Sequence, residues 1–583
     1  MPFDSLTMAA AAADAASLIG GKINKIHQPD KYSLILRFFT PAGNFKLLLS
    51  AHPVTGRAQL TERSYANPPK PPLFCMVLRK HLEGARLTAV RQPAGERVLA
   101  LDFSAHNEIG EETARTLVLE VMGKHGNLLL LDARTNSIID AARRYSHNVS
   151  RYREVLPGVT YIAPPPADKP SLYNFDTEDS LAAALLQGDL SLPPHKLLFS
   201  AASGLSPYLA KQLCLRAGLG QKANSEELAA YDFTRLFGQI QSLKSIIADN
   251  LFQPALLGTP NLPTDFYPLP PADDTPFTSY PTISAALDAY YQAAEERQEF
   301  SAERGRLQKL LNKEEQRLSK KIKLEEADYA EALSAEKFKN AGDLLTAYLH
   351  LIEPGAAEAE LPDFYDADKT VKIRLQPELS AADNAKRFFH RYNKAKKAER
   401  SLKEQLEQNR DELSYVESLQ NSLREAADMA ELASTRHEIQ QAGYLKAGKA
   451  EQKPRENPSA KEPKHYRTSD GFSVWLGRNN RQNDRLTTRL AADDDLWLHT
   501  QKIPGSHVIL RRQPGRDFSE TAIAEAAALA AAHSRAAEAE KVPVDYTAVK
   551  NVKKPNGARP GMVIYFEQQT IYVKPQGLPE DAD

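Results

Sequence analysis

Residues 301–333 read SAERGRLQKLLNKEEQRLSKKIKLEEADYAEAL. Leu307, Leu311, Leu318 and Ile322 recur at spacings of four, seven and four, drawing one narrow apolar stripe along a helix otherwise covered by Lys and Glu. The pattern reaches back to Ile283, and a second such helix is expected from about Ala381 to Gln440, through Leu402, Leu406, Leu413, Val416 and Leu423. Between them, Lys339–Pro377 offers a short helix, Pro and Gly turns and a strand-like Val371–Leu375. The simplest geometry is an antiparallel coiled-coil arm over 283–440, capped by a small head at about 339–377. At about 1.5 Å per residue, some 35–45 helical residues reach roughly 50–70 Å. An arm that long adds little core per residue and reads as an interaction device.

The flanks are different. Residues 1–170 alternate helix and strand signals: an Ala-rich helix stopped at Gly20-Gly21, strand-like runs at Ser33–Phe39, Lys46–Leu49, Val98–Phe103, Thr116–Val121 and Asn127–Asp132, and helical spacing over Pro72–Leu82. Residues 171–250 read as wholly helical, and Phe252–Ser284 as a Pro-rich, irregular connector closing a domain at about 282. Beyond the arm, 441–465 reads as a flexible linker. A last α/β domain follows at 466–575, with strands at Phe472–Leu476, Leu496–Leu498, Val508–Arg511, Val544–Val549, Met562–Phe566 and Thr570–Val573 and a helix over Glu520–Arg535. An acidic tail ends the chain at 576–583. The class is multidomain α+β.

Composition narrows the function. Seventy-four Lys+Arg against 75 Asp+Glu give a net charge of -1, which excludes a uniformly basic coat but allows a basic face on one domain. Two cysteines, Cys75 and Cys214, exclude a disulfide framework and suit the reducing cytoplasm. No run approaches the roughly 20 apolar residues that span a bilayer, and the Ala-rich start lacks the basic flank of a signal peptide. No membrane partner and no cofactor is expected.

Enzyme motifs are also missing. There is no phosphate-binding loop, no H-E-x-x-H, no C-x-x-C and no G-x-S-x-G. His499 and His507 lack a Cys or carboxylate partner at metal-ligand spacing. A chain beginning Met-Pro-Phe would expose a secondary amine at Pro2, the group with which formamidopyrimidine-DNA glycosylases attack a sugar carbon. Their chemistry needs an acid beside that amine, where this chain has Phe3, so the resemblance extends to the scaffold of the first domain and not to catalysis.

Binding chemistry is better represented. Gly477–Arg485 packs three Arg and four amides into nine residues: Arg478, Asn479, Asn480, Gln482, Asn483 and Asp484 are candidates to read bases, sugars and phosphates together, with a polar hairpin loop as the plainer reading. His499, His507, Lys553 and Lys554 lie on the strand ends and turn downstream, with Trp497 read as core. Arg143, Arg144, Arg151 and Arg153 are interleaved with Tyr145 and Tyr152, which suits phosphate contact and stacking. Glu96-Arg97 alone reads as a surface turn. Gly204 and Ser206 open a helix through Pro207, either as a phosphate-holding turn or as a simple cap.

GRNNRQNDRL (477–486), DLWLH (495–499) and PGSHV (504–508) resemble the signature of the NFACT RNA-binding domain. GKINKIHQP (21–29), LLLSAHP (47–53), PLFCMVLRKHL (72–82) and DNAKRFFHRYNK (383–394) are similar to the same family's earlier parts. The resemblance implies a helix-hairpin-helix-like second domain around Gly204 and Ser206. It also implies ribosome-associated quality control: binding to large ribosomal subunits obstructed by a stalled nascent chain on peptidyl-tRNA, and recruitment of alanyl-tRNA for mRNA-independent alanine tailing. An Asp-Arg pair needed for tailing falls on Glu96-Arg97, with Glu in place of Asp. The competing classes are a surface adhesin for fibronectin or fibrinogen and a DNA glycosylase using Pro2.

Overall fold

Leu128, Leu129, Leu130 and Leu131 are all buried, but on opposite faces of one strand. Leu128 and Leu130 join a core that includes Leu99, Leu101, Phe103, Leu117 and Leu119. Leu129 and Leu131 pack with Val98, Val118, Ile138 and Val155. Side chains alternate across a strand, so an uninterrupted apolar run marks a sheet covered on both faces.

The computed structural model describes residues 3–106, 110–148, 151–165, 167–259, 262–363, 370–446 and 462–579. Pro2, most of the expected linker and the end of the acidic tail lie outside the described residues. The chain divides into two compact units, Met1–Arg297 and Gln298–Asp583. No described helix is long and apolar enough to cross a membrane.

The first unit is built on a nine-stranded antiparallel sheet, in the order β4-β3-β2-β1-β5-β6-β7-β8-β9. Its strands are β1 (Lys22–Asp30), β2 (Ser33–Thr40), β3 (Gly43–Ser50), β4 (Arg57–Leu60), β5 (Arg86–Arg91), β6 (Val98–His106), β7 (Glu112–Glu120), β8 (Asn127–Asp132) and β9 (Ser137–Ala141). Two helices cover one face, α1 (Ser5–Ala16) and α2 (Leu73–Leu82). The Ala-rich stretch serves close packing: Ala10 and Ala11 are almost wholly buried against the strands, where a small side chain lets helix and sheet approach. α1 starts earlier than its alanines because Asp4 caps it, accepting from Thr7 N at 2.9 Å.

Four further helices, α3 (Glu178–Leu186), α4 (Pro194–Ala201), α5 (Pro207–Arg216) and α6 (Ala230–Ala248), share a second core with Leu6. The expected irregular connector at Phe252–Ser284 is corrected: β10 (Ala255–Thr259), β11 (Leu262–Tyr267) and β12 (Phe277–Ser279) form a sheet in the order β11-β10-β12. Its prolines disguise it. Ala255, Leu257 and Tyr267 enter the helical core while Leu256 and Phe266 enter the core of the large sheet, so this small sheet is buried between the two.

α7 (Ile283–Leu333) runs from the first unit into the second. Its Leu307, Leu311 and Leu318 pack with Tyr415, Val416, Leu419 and Leu423 of α9 (Ala381–Glu425). Cross-contacts run in opposite senses: Gln420 donates to Glu315 at 2.9 Å, Lys321 to Asn409 at 3.1 Å and Arg410 to Glu326 at 2.6 Å. Between them α8 (Glu336–Ala347) packs with the hairpin β13 (Glu358–Pro362) and β14 (Thr370–Arg374). The single second helix expected over 381–440 is corrected to two. Ala426 is extended, and Asp428 caps α10 (Met429–Gln441) by accepting from Glu431 N at 2.8 Å while the Glu431 carboxylate accepts from Ala427 N at 2.9 Å. Reciprocal capping of this kind starts a helix and so ends the one before it.

The remaining strands are β15 (Lys464–Arg467), β16 (Ser473–Leu476), β17 (Leu496–Thr500), β18 (Val508–Leu510), β19 (Val542–Ala548), β20 (Val552–Lys553), β21 (Ile564–Tyr565) and β22 (Gln569–Val573). Six of them form one sheet in the order β15-β16-β18-β17-β19-β22. α11 (Asn480–Arg485) replaces the expected loop, and α12 (Glu520–Ala532) covers one face of that sheet. Trp497 packs with Leu486, Ile509 and Val549 on the other.

Candidate nucleic-acid interface

The β5–β6 connection carries Gly95-Glu96-Arg97. Gly95 has φ +77, and a Cβ there would lie 3.1 Å from both Gly204 Cα and Tyr173 Cε2. Only glycine lets this turn and the Gly204 turn touch. Gln92 Nε2 pins the connection by donating to Ser5 O and Glu96 O, both at 2.8 Å. Above that fixed backbone Glu96 is exposed and Arg97 half-buried, and neither side chain forms a hydrogen bond or ion pair among the described residues. Two opposite charges are held ready on a rigid turn.

Gly204 and Ser206 are placed differently from the phosphate reading. Ser206 caps α5 by accepting from Leu209 N at 3.0 Å and donates at 2.6 Å to Asp4 Oδ2. Asp4 also accepts from Thr7 Oγ1 at 2.9 Å and Tyr267 OH at 3.0 Å, and Ser5 Oγ donates to Gly204 O at 2.8 Å. The helix N-terminus already faces a carboxylate of its own chain, which fills the anion's role. The phosphate-binding expectation is therefore corrected to a structural cap.

The four arginines of 143–153 separate in the same way. Arg153 is 6% exposed; its two terminal nitrogens hold the Glu120 carboxylate, Nη1 at 2.7 Å, and Tyr161 OH donates to Glu120 at 2.9 Å. Burial opposes the Arg153 charge, but Glu120 outweighs it and lifts the guanidinium above its ordinary range. Arg144 forms a two-pronged pair with Asp140 at 2.7 and 2.9 Å. Arg143 donates to the carbonyls of Lys124 and Gly126. Arg151 is exposed beside Tyr152, itself 51% exposed. Direct phosphate contact is thus corrected for Arg153, whose charge is buried against Glu120.

In the second unit the amide cluster is a helix with both ends anchored inward. Asn479 caps α11 by accepting from Gln482 N at 2.9 Å, and Gln482 Oε1 accepts from Arg478 N at 2.9 Å. Asn483 Oδ1 accepts from His507 N at 3.0 Å. Asn480 Nδ2 donates to Ser418 Oγ at 2.9 Å and Glu438 Oε1 at 3.0 Å. Arg478 pairs with Glu431, and Arg481 reaches His437 and Gln441 on α10. Asp484 pairs with Lys554 at 2.7 Å. Asn479, Asn480, Gln482 and Asn483 are each at most 4% exposed, so the expectation that they read RNA directly is corrected: they fasten this domain to α9 and α10. Sequence reasoning missed their partners, Glu431 and Glu438. Burial raises both carboxyls, against the pull of their hydrogen-bond partners.

Lys553 remains exposed. His499 and His507 face each other with centroids 5.4 Å apart, and His507 Nδ1 meets Thr487 Oγ1 at 2.7 Å. Burial lowers both rings, His499 to about 4 and His507 further, so each is neutral at neutral pH. His507 is 2% exposed and serves as a wall, which corrects its assignment as a direct contact.

Residues 4–458 match the family model for NFACT N-terminal and middle domains, and residues 463–565 that for the NFACT protein RNA binding domain. The chain belongs to the NFACT family. Among NFACT relatives, it is 36% identical to "Rqc2 homolog RqcH" of Bacillus subtilis, covering 97% of this chain and 95% of that one. It is 34% identical to the protein of the same name from Streptococcus pneumoniae, covering 96% and 95%. A shorter similarity, 28% over 131 residues, covers 22% of this chain and 11% of the human "Ribosome quality control complex subunit NEMF". In this NFACT chain the candidate contacts that remain open are Glu96, Arg97 and Arg151 in the first unit and Lys553 in the second.

Proposed function

We propose that this NFACT protein is a cytoplasmic ribosome-associated quality control factor. It binds large ribosomal subunits obstructed by a stalled nascent chain on peptidyl-tRNA and recruits alanyl-tRNA, so that alanines are added to the chain without mRNA and mark it for degradation. The observation that carries the reading is the 36% identity, nearly end to end, with a protein named as an Rqc2 homolog.

The protein itself is an adaptor and makes no bond; peptide bonds form in the ribosome, and the protein supplies position. Holding an acylated tRNA beside the acceptor removes much of the entropic cost of bringing them together. The pinned Glu96-Arg97 turn, its charges unpaired among the described residues, suits such positioning. Arg97 meets phosphate or base edges of tRNA, with Arg151 and Tyr152 as auxiliary contacts. Five parts serve the span: a first domain on a formamidopyrimidine-glycosylase-like scaffold (1–170), a helix-hairpin-helix-like domain (171–282), a coiled-coil arm with its head (283–440), a linker, and the RNA-binding domain (466–575). The arm and last domain dock on the subunit.

The test substitutes Arg97→Ala and reads two outputs from cells lacking the native protein. Alanine tailing of a stalled reporter should be abolished while cosedimentation with large subunits stays largely intact. Loss of both together refutes the division of labour, and retained tailing refutes the role of Arg97.

A further inference from the structure

The second unit contains a cavity of about 380 Å³ bordered by α9, the end of β17 and the segment 560–565. Its wall is aromatic and uncharged. Trp497 and His499 stack with centroids 5.6 Å apart and planes 18° from parallel, and Tyr565 lies 4.8 Å from Trp497. His507 closes the inner side edge-on to Trp497 at 5.2 Å. The lowered pKa values of the two histidines keep the wall neutral, so it offers nothing to a free anion.

One polar group in that wall is unanswered. Trp497 lines the cavity and is 1% exposed, yet its indole Nε1–H meets no acceptor. A buried donor without a partner costs about 1–3 kcal/mol, which an acceptor brought by an occupant would recover. On the rim Lys502 is exposed, and its backbone sits at φ 55, a conformation rare for a residue with a long side chain. Arg559 lies over the Tyr415 ring at 4.4 Å on the α9 side. A neutral aromatic interior with acceptor demand and a cationic mouth fits a flat heteroaromatic group attached to a phosphate.

We propose that this cavity is a binding pocket for a single unstacked nucleobase, with Trp497 Nε1 donating to a base acceptor and Lys502 meeting the adjoining phosphate. The volume falls in the range of small-ligand pockets and admits one base, not a base pair. The inference deepens the proposed ribosomal role, naming single-stranded RNA as the ligand of the last domain; a free nucleotide offers the same chemistry.

The chain has two tryptophans, Trp475 and Trp497, so Trp475→Phe in the full-length protein leaves Trp497 as the only indole reporter. A single-stranded heptaribonucleotide of mixed sequence should quench its emission saturably. A duplex of the same length and inorganic phosphate should not. Ser414→Phe fills the mouth from an exposed position on α9 and should weaken the heptamer by about tenfold, the worth of one stacked base. Equal affinity for a mononucleotide reassigns the source to a free nucleotide and keeps the base pocket. Absence of quenching by strand and nucleotide alike, or quenching indifferent to Ser414→Phe, overturns the proposal. As a check independent of substitution, a 4-thiouridine heptamer photolinked to the unsubstituted chain should map to 497–507 or 560–565, and adducts found only elsewhere count against it. Cosedimentation with large subunits is measured on the same samples: if it persists while the pocket fails, only this inference falls; if it too is absent, the ribosomal reading falls.

Discussion

The Glu96-Arg97 turn and the 477–486 segment are both polar, arginine-bearing connections after a structured element, and the fold treats them oppositely. At the first, the backbone is pinned by Gln92 and the side chains are left over. At the second, Arg478, Asn480, Gln482, Asn483 and Asp484 are all engaged within the chain. What separates them is the presence of a buried carboxylate within reach. Arginine is a recognition group only where no such carboxylate has claimed it.

The strongest way to break that contrast is to remove a claiming carboxylate. Glu431→Ala leaves the Arg478 guanidinium, 12% exposed, buried without its partner. It should lower unfolding stability of the second unit by about 3–5 kcal/mol, measured by urea denaturation. Arg97→Ala should change stability by less than about 0.5 kcal/mol. Similar losses for the two would erase the distinction. A middle-sized effect is expected at the α5 cap: Asp4→Asn keeps an acceptor but removes the negative charge, and should cost about 1–2 kcal/mol in the same measurement.

The pH dependence sharpens the picture of the neutral wall. His499 titrates near 4 in the fold against about 6.5 when unfolded. Between these values the unfolded chain binds the extra proton, so this contribution is complete above 6.5 and is lost as pH falls towards 4. The urea midpoint of the second unit should drop from pH 7 to pH 5, and His499→Gln should drop less. A slope unchanged by that substitution would exclude His499 as its source. The smallest effect belongs to Lys553→Ala. Stability should stay within about 0.5 kcal/mol, while RNA affinity weakens evenly across sequences and its salt slope falls by about 1.

Much of the architecture was legible from local pattern. The stripe through Leu307, Leu311 and Leu318 does pack on α9, and Trp497 is core as expected. The break at Ala426 was legible too, in Asp428-x-x-Glu431, but the apolar periodicity continues across it and masks it. The β10–β12 sheet was hidden by Pro254, Pro263 and Pro276, since the apolar residues between them acquire meaning only from the two cores they join. α11 was hidden by its composition: amides read as loop or ligand-binding residues until their capping partners are known.

Periodicity, caps and glycine turns act over a few residues, so the chain alone dictated where most helices and strands would form and that no familiar catalytic motif accompanies them. Which charges stay available to a partner depended on tertiary packing. Glu120 reaches Arg153, Glu431 reaches Arg478 and Asp484 reaches Lys554 across long separations in the chain. Coulomb attraction follows distance in space and the local dielectric, neither of which is written in residue order.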